Sequence, residues 1–550
     1  MTLLTTYIIA PSFRSPASPS SSPVSEFHDG HDDSSAYTFY HWSRIDEFVY
    51  FSHQFVTVPP CGWVDAAHTH GVPIYGTIIT ESAAGEETCQ QLLRSQEVVE
   101  VVVERLVAVS RHHGLDGWLL NIENAIDPAQ LPLLRHLVAQ LTSRMHQEIE
   151  HSRVIWYDSV TRDGELRWQD QLNEQNECYF DLCDGIFLNY GWTPERLAAS
   201  GERAGRRRAD LYAGVDMFGR GSLGGGGFNV IQPVAESRWL GLSTALFAPG
   251  WTHERLGADR FALAEDVLWS RLSTLLGARG PARLPLVTDF CQGRGLKLCA
   301  DGQVTRAKPW HRLSAQSPQP TFLQTRRPAE LALTDADGRP VQAGFALRAP
   351  ALGASAKRED ARTMEQRRLE AVSAAGEVLP QPGWQVRHTD KDAFSGGGCL
   401  AVSNASDQDG VFRLFACDLS LSSGRQSLAV LYAVKTTDDG CALCVDLTDR
   451  REPGVSRYVL EPPSGLLGTE PGLRADARRL SVHLPVPADQ AEARLAGRPL
   501  PGPGHNGWQI RHYLLPVSGD DPRVVSIGLF LAARTSLLIG YLALQSTQPP

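Results

Sequence analysis

Apolar and polar positions along this chain alternate in blocks that recur. Runs rich in β-branched and aromatic residues occupy Ile45–Ser52, Val72–Thr80, Leu115–Glu123, Arg153–Ser159, Gly185–Tyr190, Asp210–Asp216, Thr244–Trp251 and Leu284–Phe290, mostly starting 20 to 45 residues apart. Each run has the length of a strand, and the spacing leaves room for a helix between successive strands. Helical periodicity fills several gaps. Val99, Val102, Leu106 and Val109 recur before Gly114, and after the third run Asp127 can cap a helix that Pro128 opens. Leu131, Leu134, Val138 and Leu141 then form one apolar stripe. Eight strand–helix copies predict an α/β fold, a (β/α)8 TIM barrel over about 37–300. A doubly wound open sheet is the alternative. No glycine-rich phosphate turn follows the first run, however, and the GRGSLGGGG stretch (Gly219–Gly227) follows the sixth and matches no dinucleotide fingerprint. Its expected use is a mobile loop over the barrel mouth.

Outside the barrel the pattern changes. Residues 1–36 hold a Ser-, Pro- and Asp-rich stretch and read as a disordered N-terminus; the opening MTLLTTYIIA has an apolar run but no basic region, a weak leader signal. From 301 to 379 a Pro-, Ala-, Arg- and Gln-rich linker follows. Short alternating runs from 380 to 550, punctuated by Gly and Asp, predict an all-β sandwich, jelly-roll-like, with carbohydrate binding as one use.

Composition narrows the partners. The 550 residues carry a formal charge of −10 with no basic block beyond Arg206–Arg208, so neither nucleic acid nor an anionic membrane is expected. No apolar run is long enough to span a bilayer. Ten cysteines lack a repeated spacing, and the single CALC (Cys441–Cys444) has no second pair, so buried thiols in the cytosol are expected rather than zinc. AHTHG (Ala67–Gly71) precedes the second strand and lies at the wrong end for a catalytic metal. No metal and no cofactor are expected.

In a barrel of this type the chemistry sits at the carboxyl ends of the strands. Those ends carry Glu81, Asn121, Glu123, Tyr157, Asp158, Asn189, Tyr190, Asp216 and Asp289, with Trp168, Trp192 and Trp251 just beyond. Polar groups among aromatic faces suit a sugar. With a period of two, Gly117, Leu119, Asn121 and Glu123 share one face of the third strand, which turns polar only at its end. Glycosidases ordinarily pair two carboxylates, yet the partner of Glu123 on this face is an amide. The nucleophile must then come from elsewhere, and the 2-acetamido oxygen of N-acetylglucosamine can supply it. Asn121 would orient the acetamide while Glu123 acts as acid and then base. A purely structural pair at the barrel rim is the competing reading.

GLDGWLLNIEN resembles the signature of the cytosolic endo-β-N-acetylglucosaminidase family, which acts on N-glycans, and distantly echoes the chitinase pattern DGxDxDxE. The likeness continues through FYHWSRIDEFVYFSH, VPIYGTIITE, VIWYDSVTRDGELRWQDQLNEQN, AGVDMFGRG, FCQGRG and LSAQSPQP, densely over about 39–325. It implies cleavage between the two GlcNAc residues of the N-glycan core in glycopeptides, glycoproteins or free oligosaccharides. Configuration would be retained through an oxazolinium intermediate, with transfer to other acceptors. It implies further that Glu123 is the acid/base, Asn121 the acetamide-positioning residue and Tyr157 an assistant at the intermediate. Trp168 and Trp192 match substrate-site aromatics; Trp251, Glu81, Asn189 and Tyr190 complete the expected sugar contacts. Relatives generally continue TEW after the position of Glu81, where this chain has Ser82. A chitinase-like endohydrolase and a non-catalytic glycan-binding protein are the alternatives; Asn121 argues against the first and Glu123 against the second.

Overall fold

Eight parallel strands close on themselves. The structure, a computed structural model, describes residues 3–8, 30–321, 333–334, 340–341, 383–421, 426–437, 439–449, 454–464, 479–490, 502, 504–517 and 519–547. Two compact units can be separated, each assembled from distant stretches: one from residues 1–28, 44–276 and 331–362, the other from 29–43, 277–330 and 363–550.

The first unit is the barrel. Its strands are β1 (Leu3–Ile8), β2 (Glu47–Phe51), β3 (Ile74–Glu81), β4 (Gly117–Glu123), β5 (Arg153–Tyr157), β6 (Gly185–Leu188), β7 (Leu211–Asp216) and β8 (Ser243–Phe247). Neighbours pair in parallel from β2 round to β8, and β1 lies between β8 and β2, which completes the ring. Inward-facing positions two apart on each strand fill the interior: Val49, Phe51, Tyr75, Ile79, Leu119, Ile155, Tyr157, Phe187, Tyr212, Ala245 and Phe247 form one buried cluster. Gly117 is a glycine for a steric reason, since a Cβ there would lie 2.1 Å from the carbonyl oxygen of Arg153. At the amino ends of the strands, Arg153 Nε lies 3.4 Å from Glu47, and the Tyr212 hydroxyl donates to Glu47 at 2.8 Å, closing the floor with paired charge.

The helices follow their sequence signals. Gln96–His113 is capped by the Ser95 side chain, which accepts from Val98 N, and stops at Gly114 with a left-handed φ of 70°. The Asp127 side chain accepts from Ala129 N and Pro128 opens the next turn; Leu131, Leu134, Val138 and Leu141 on the following helix are all buried.

One strand differs from expectation. The eighth barrel strand is β1, not the run Leu284–Phe290. In that run, Leu286–Thr288 pairs with the strand Ser536–Thr547 of the second unit. Leu286 and Phe290 are buried in the second unit's core while Val287 is 40% exposed, a one-sided pattern that suits a sheet edge better than a barrel stave. The N-terminal run Leu3–Ile8, with two threonines and an isoleucine, takes the place expected of Leu284–Phe290. Most of the expected disordered segment and most of the expected linker lie outside the described residues.

The second unit is all-β. One sheet has Trp384–Thr389, Cys399–Asn404, Ser536–Thr547, Gln426–Thr436 and Gln509–Val517 in that order, with Leu286–Thr288 beside Ser536–Thr547. The other runs Gly410–Ser420, Pro522–Leu531, Cys441–Asp449, Ser456–Leu460 and Arg479–His483. Alternate residues from both sheets, among them Leu400, Val430, Leu443, Val445, Ile527 and Ile539, share one core, as in a sandwich.

Candidate active site

The mouth of the barrel is built mainly from β3, β4, β5 and the loops that follow them. The inner face of β4 ends in Asn121 and Glu123, so the side chains meant for the mouth arrive there by strand periodicity alone. Asn121 is buried and Glu123 half-buried. In the register of β3 against β4, Glu81 stands directly opposite Glu123. Burial, followed by the Glu81 carboxylate, pushes the Glu123 carboxyl above the usual range; the Asn121 side chain and His53 pull the other way. His53 Nδ1 donates to Glu81 Oε2 at 2.9 Å.

A cavity of about 400 Å³ opens against Glu123, bordered by Glu81, Ser82, Asn124, Leu166 and Trp168. Trp168 is 43% exposed and offers a ring to this space. Ser82 enters its helix with a φ of 57°, in the left-handed region.

Beside Asn121 and Glu123 stands the end of β5. Tyr157 is buried, and its hydroxyl donates to Asn189 Oδ1 at 2.8 Å. Asp158, next in the chain, is buried and accepts from Gln169 N, Asp170 N and Asn176 Nδ2. Burial raises its carboxyl to about 7 against those bonds. Tyr190 is half-buried between Phe187 and Phe247. Asp216, fully buried at the end of β7, accepts from Arg220 Nε at 2.7 Å and from the backbone of Phe218 and Arg220. It thereby ties down the start of the glycine-rich loop, whose Gly219, Gly221 and Gly224–Gly227 all take positive φ.

A profile of glycosyl hydrolase family 85 matches residues 20–298. The chain belongs to that family. It is 45% identical over 291 residues to the cytosolic endo-beta-N-acetylglucosaminidase of Gallus gallus, covering 53% of this chain and 40% of the relative. The corresponding Homo sapiens protein is 44% identical, with 53% and 39% covered, and cytosolic endo-beta-N-acetylglucosaminidase 1 of Arabidopsis thaliana is 43% identical, with 56% and 46% covered. The chain therefore matches over less than half the length of these relatives. Among solved structures, the glycoside hydrolase domain of Endo-D from Streptococcus pneumoniae R6 shares the fold, with a TM-score of 0.64 at 17% identity over 99% of this chain and 75% of that one.

In this member of family 85 the remaining candidates separate by exposure. Trp192 is 3% exposed, and its indole nitrogen donates to the Gly214 carbonyl at 2.7 Å. Trp251 is 9% exposed, edge-on to Phe228 and packed over Gly227. Both are held as core. Asp289, expected at the mouth, instead binds Ser317 Oγ and Cys291 N within the second unit. No group of three or more His, Cys, Asp or Glu that could hold a metal occurs among the described residues, and no described helix is long and apolar enough to cross a membrane. His68 of AHTHG pairs with Asp116 at 2.8 Å. Sequence reasoning missed His53, Asp170 and Arg220. His53 lies two residues past the end of β2 and could have been found by the strand-end rule; the other two sit in loops without periodicity.

Proposed function

We propose that this chain is an endo-β-N-acetylglucosaminidase that hydrolyses the GlcNAc-β1,4-GlcNAc bond in the core of N-glycans, on glycopeptides, glycoproteins or free oligosaccharides. The observation that carries the reading is the inner end of β4, an amide and a carboxyl with a raised pKa two residues apart on one face. Asn121 orients the substrate acetamide so that its oxygen attacks the anomeric carbon. Glu123 gives its proton to the leaving oxygen as the glycosidic bond breaks, and an oxazolinium forms. As a carboxylate, Glu123 then takes a proton from the water that opens the ring, which restores the β configuration. A GlcNAc hydroxyl in place of that water gives glycan transfer. Tyr157 stands against the intermediate. The cytosolic location in the relatives' names is proposed for this chain too, consistent with buried free thiols at Cys89, Cys183, Cys291 and Cys399.

A second reading has one observation in its favour. Glu81 and Glu123 are register partners on adjacent strands, so two carboxyl residues end side by side at the mouth, as a two-carboxylate enzyme requires. Glu81 would then be a covalent nucleophile.

The test is incubation with a high-mannose glycopeptide, which should leave a single GlcNAc on the peptide. Glu123→Gln keeps the shape but cannot donate the proton, and turnover should fall by about 10²–10⁴-fold. Unchanged glycopeptide with the wild-type chain would sink the enzymatic reading, and near wild-type turnover by Glu123→Gln would remove Glu123 from the mechanism.

A further inference from the structure

Asn189 directly follows β6, where a sugar-binding side chain is expected, yet both ends of its amide are already engaged. Its Oδ1 accepts from the Tyr157 hydroxyl at 2.8 Å, and its Nδ2 donates to Asp170 Oδ1 at 2.7 Å. Asp170 is itself held on several sides. Gly191 N donates to the same oxygen at 2.9 Å, and a Cβ on Gly191 would lie 2.8 Å from both Asp170 carboxylate oxygens, so the approach depends on glycine there. The backbone N–H of Asp170 donates to the buried Asp158 at 2.8 Å, and Asp170 takes a φ of 54°, a left-handed conformation that costs energy for a non-glycine residue. The chain thus folds back from Tyr157 through its neighbour Asp158 and the loop to Asp170, and returns through Asn189 to the tyrosine hydroxyl.

This ring settles the direction of every hydrogen bond in it. A carboxylate only accepts, so Asp170 obliges Asn189 to present its NH₂ group to the loop. The amide oxygen must then face Tyr157, and since that oxygen also only accepts, the phenol must be the donor. We propose that Asp170 and Asn189 are positioning residues for Tyr157: they hold its proton on Asn189 Oδ1 and so fix the orientation of the phenol oxygen at the end of β5, beside Asn121 and Glu123. A phenol oxygen held in one orientation can serve the step in which the acetamide closes on the anomeric carbon. The carboxylate polarises the amide, and the amide polarises the phenol, so electron density on the phenol oxygen rises along the chain. Burial, with Tyr190, Glu123 and Asp158 nearby, keeps the phenol protonated and able to donate. This role rests on the proposed oxazolinium chemistry. It assigns Asn189 to the tyrosine rather than to the sugar.

Replacing Asp170 by Asn removes the constraint, because the Asn189 amide can then invert and offer its NH₂ to the phenol. The experiment is a double-mutant cycle of Tyr157→Phe and Asp170→Asn, reading kcat and KM on a high-mannose glycopeptide and the urea midpoint of each variant. The expected result is a fall in kcat of about ten-fold for Asp170→Asn, the worth of one oriented hydrogen bond, with KM little changed. In the Tyr157→Phe background the same change should cost nothing further, since the hydroxyl it served is gone. A structural role predicts losses that multiply and follow the fall in midpoint; that outcome, or wild-type kcat in Asp170→Asn, overturns the proposal. Should Asp170→Asn not fold, Asn189→Leu takes its place in the cycle with the same expectations. A wild-type chain that cleaves no glycopeptide would overturn the endoglycosidase reading on its own. The urea midpoints would still report on the ring: non-additive shifts for Tyr157 and Asp170 support it, and additive shifts overturn it.

Discussion

Trp168 and Trp192 lie on loops at the same end of the barrel but in opposite surroundings. Trp168 is 43% exposed beside the cavity that holds Glu123, whereas Trp192 is 3% exposed and commits its only donor to the Gly214 carbonyl. Trp168→Ala should therefore weaken glycopeptide binding by about 0.5–1.5 kcal/mol, roughly two- to twelve-fold, with an unchanged melting temperature. Trp192→Ala should cost about 3–5 kcal/mol of stability and leave the Gly214 carbonyl without its partner. A Trp192→Ala variant that melts like wild type but binds poorly would reverse this assignment. Asn121 calls for a different comparison. If it orients the acetamide, Asn121→Ala should lose hydrolysis yet still join a pre-formed glycan oxazoline to a GlcNAc acceptor, because that substrate has already passed the step Asn121 serves. Transfer that collapses together with hydrolysis in a well-folded preparation would make Asn121 structural.

At the scale of elements, the register of β3 on β4 sets Glu81 against Glu123, and each proposed mechanism asks something different of that pair. In the substrate-assisted reading Glu81 only raises the pKa of the acid. Glu81→Gln removes one of the two influences that raise it, so the alkaline limb of kcat/KM, where Glu123 loses its proton, should move to lower pH while the maximal rate stays within about ten-fold. If Glu81 were the covalent nucleophile, the variant would be inactive at every pH. A limb that does not move would show that the Glu81 charge is not felt by Glu123. Elements also mark the limits of what could be read from sequence. β4 was legible because its inward face changes from Leu119 to Asn121 and Glu123 within one strand, and periodicity alone fixes that face. The closing strand was not, since short β-branched runs at Thr2–Ala10 and Leu284–Phe290 look alike until their pairing partners are known. Asp170 was illegible for another reason. Its position comes from loop hydrogen bonds to Asp158 and from a left-handed φ, neither of which leaves a period in the sequence.

At the scale of the whole molecule, motifs contiguous in sequence are divided between the two units. The stretch FYHWSRIDEFVYFSH gives its second half to β2, while its first half enters the β unit, where Trp42 donates to Gln316 Oε1 at 2.8 Å and Thr38, just before the stretch, lies with its Oγ1 2.8 Å from His311 Nε2. Gln316 of the distant LSAQSPQP motif and the neighbouring His311 thus form a clasp within the second unit. That clasp carries a pH dependence. Burial, with His31 and Arg294 adding positive charge, lowers the His311 imidazole to about 4, and burial with Arg294 lowers His388 in the same unit to about 3. Both are neutral in the folded unit over a range in which unfolded histidine, near 6.5, takes up a proton. The unfolded state then binds more protons, so stability is full above about pH 6.5 and is lost progressively as pH falls towards 4. For a shift the size of that at His311, the loss approaches about 3 kcal/mol at the lower end. Thermal unfolding followed between pH 7.5 and 4.5 should show the β unit's transition falling steadily below pH 6.5. Replacing His388 with Gln, which has no proton to gain, should flatten part of that slope. A midpoint indifferent to pH across this window would mean that the two imidazoles are not buried neutral as their surroundings require.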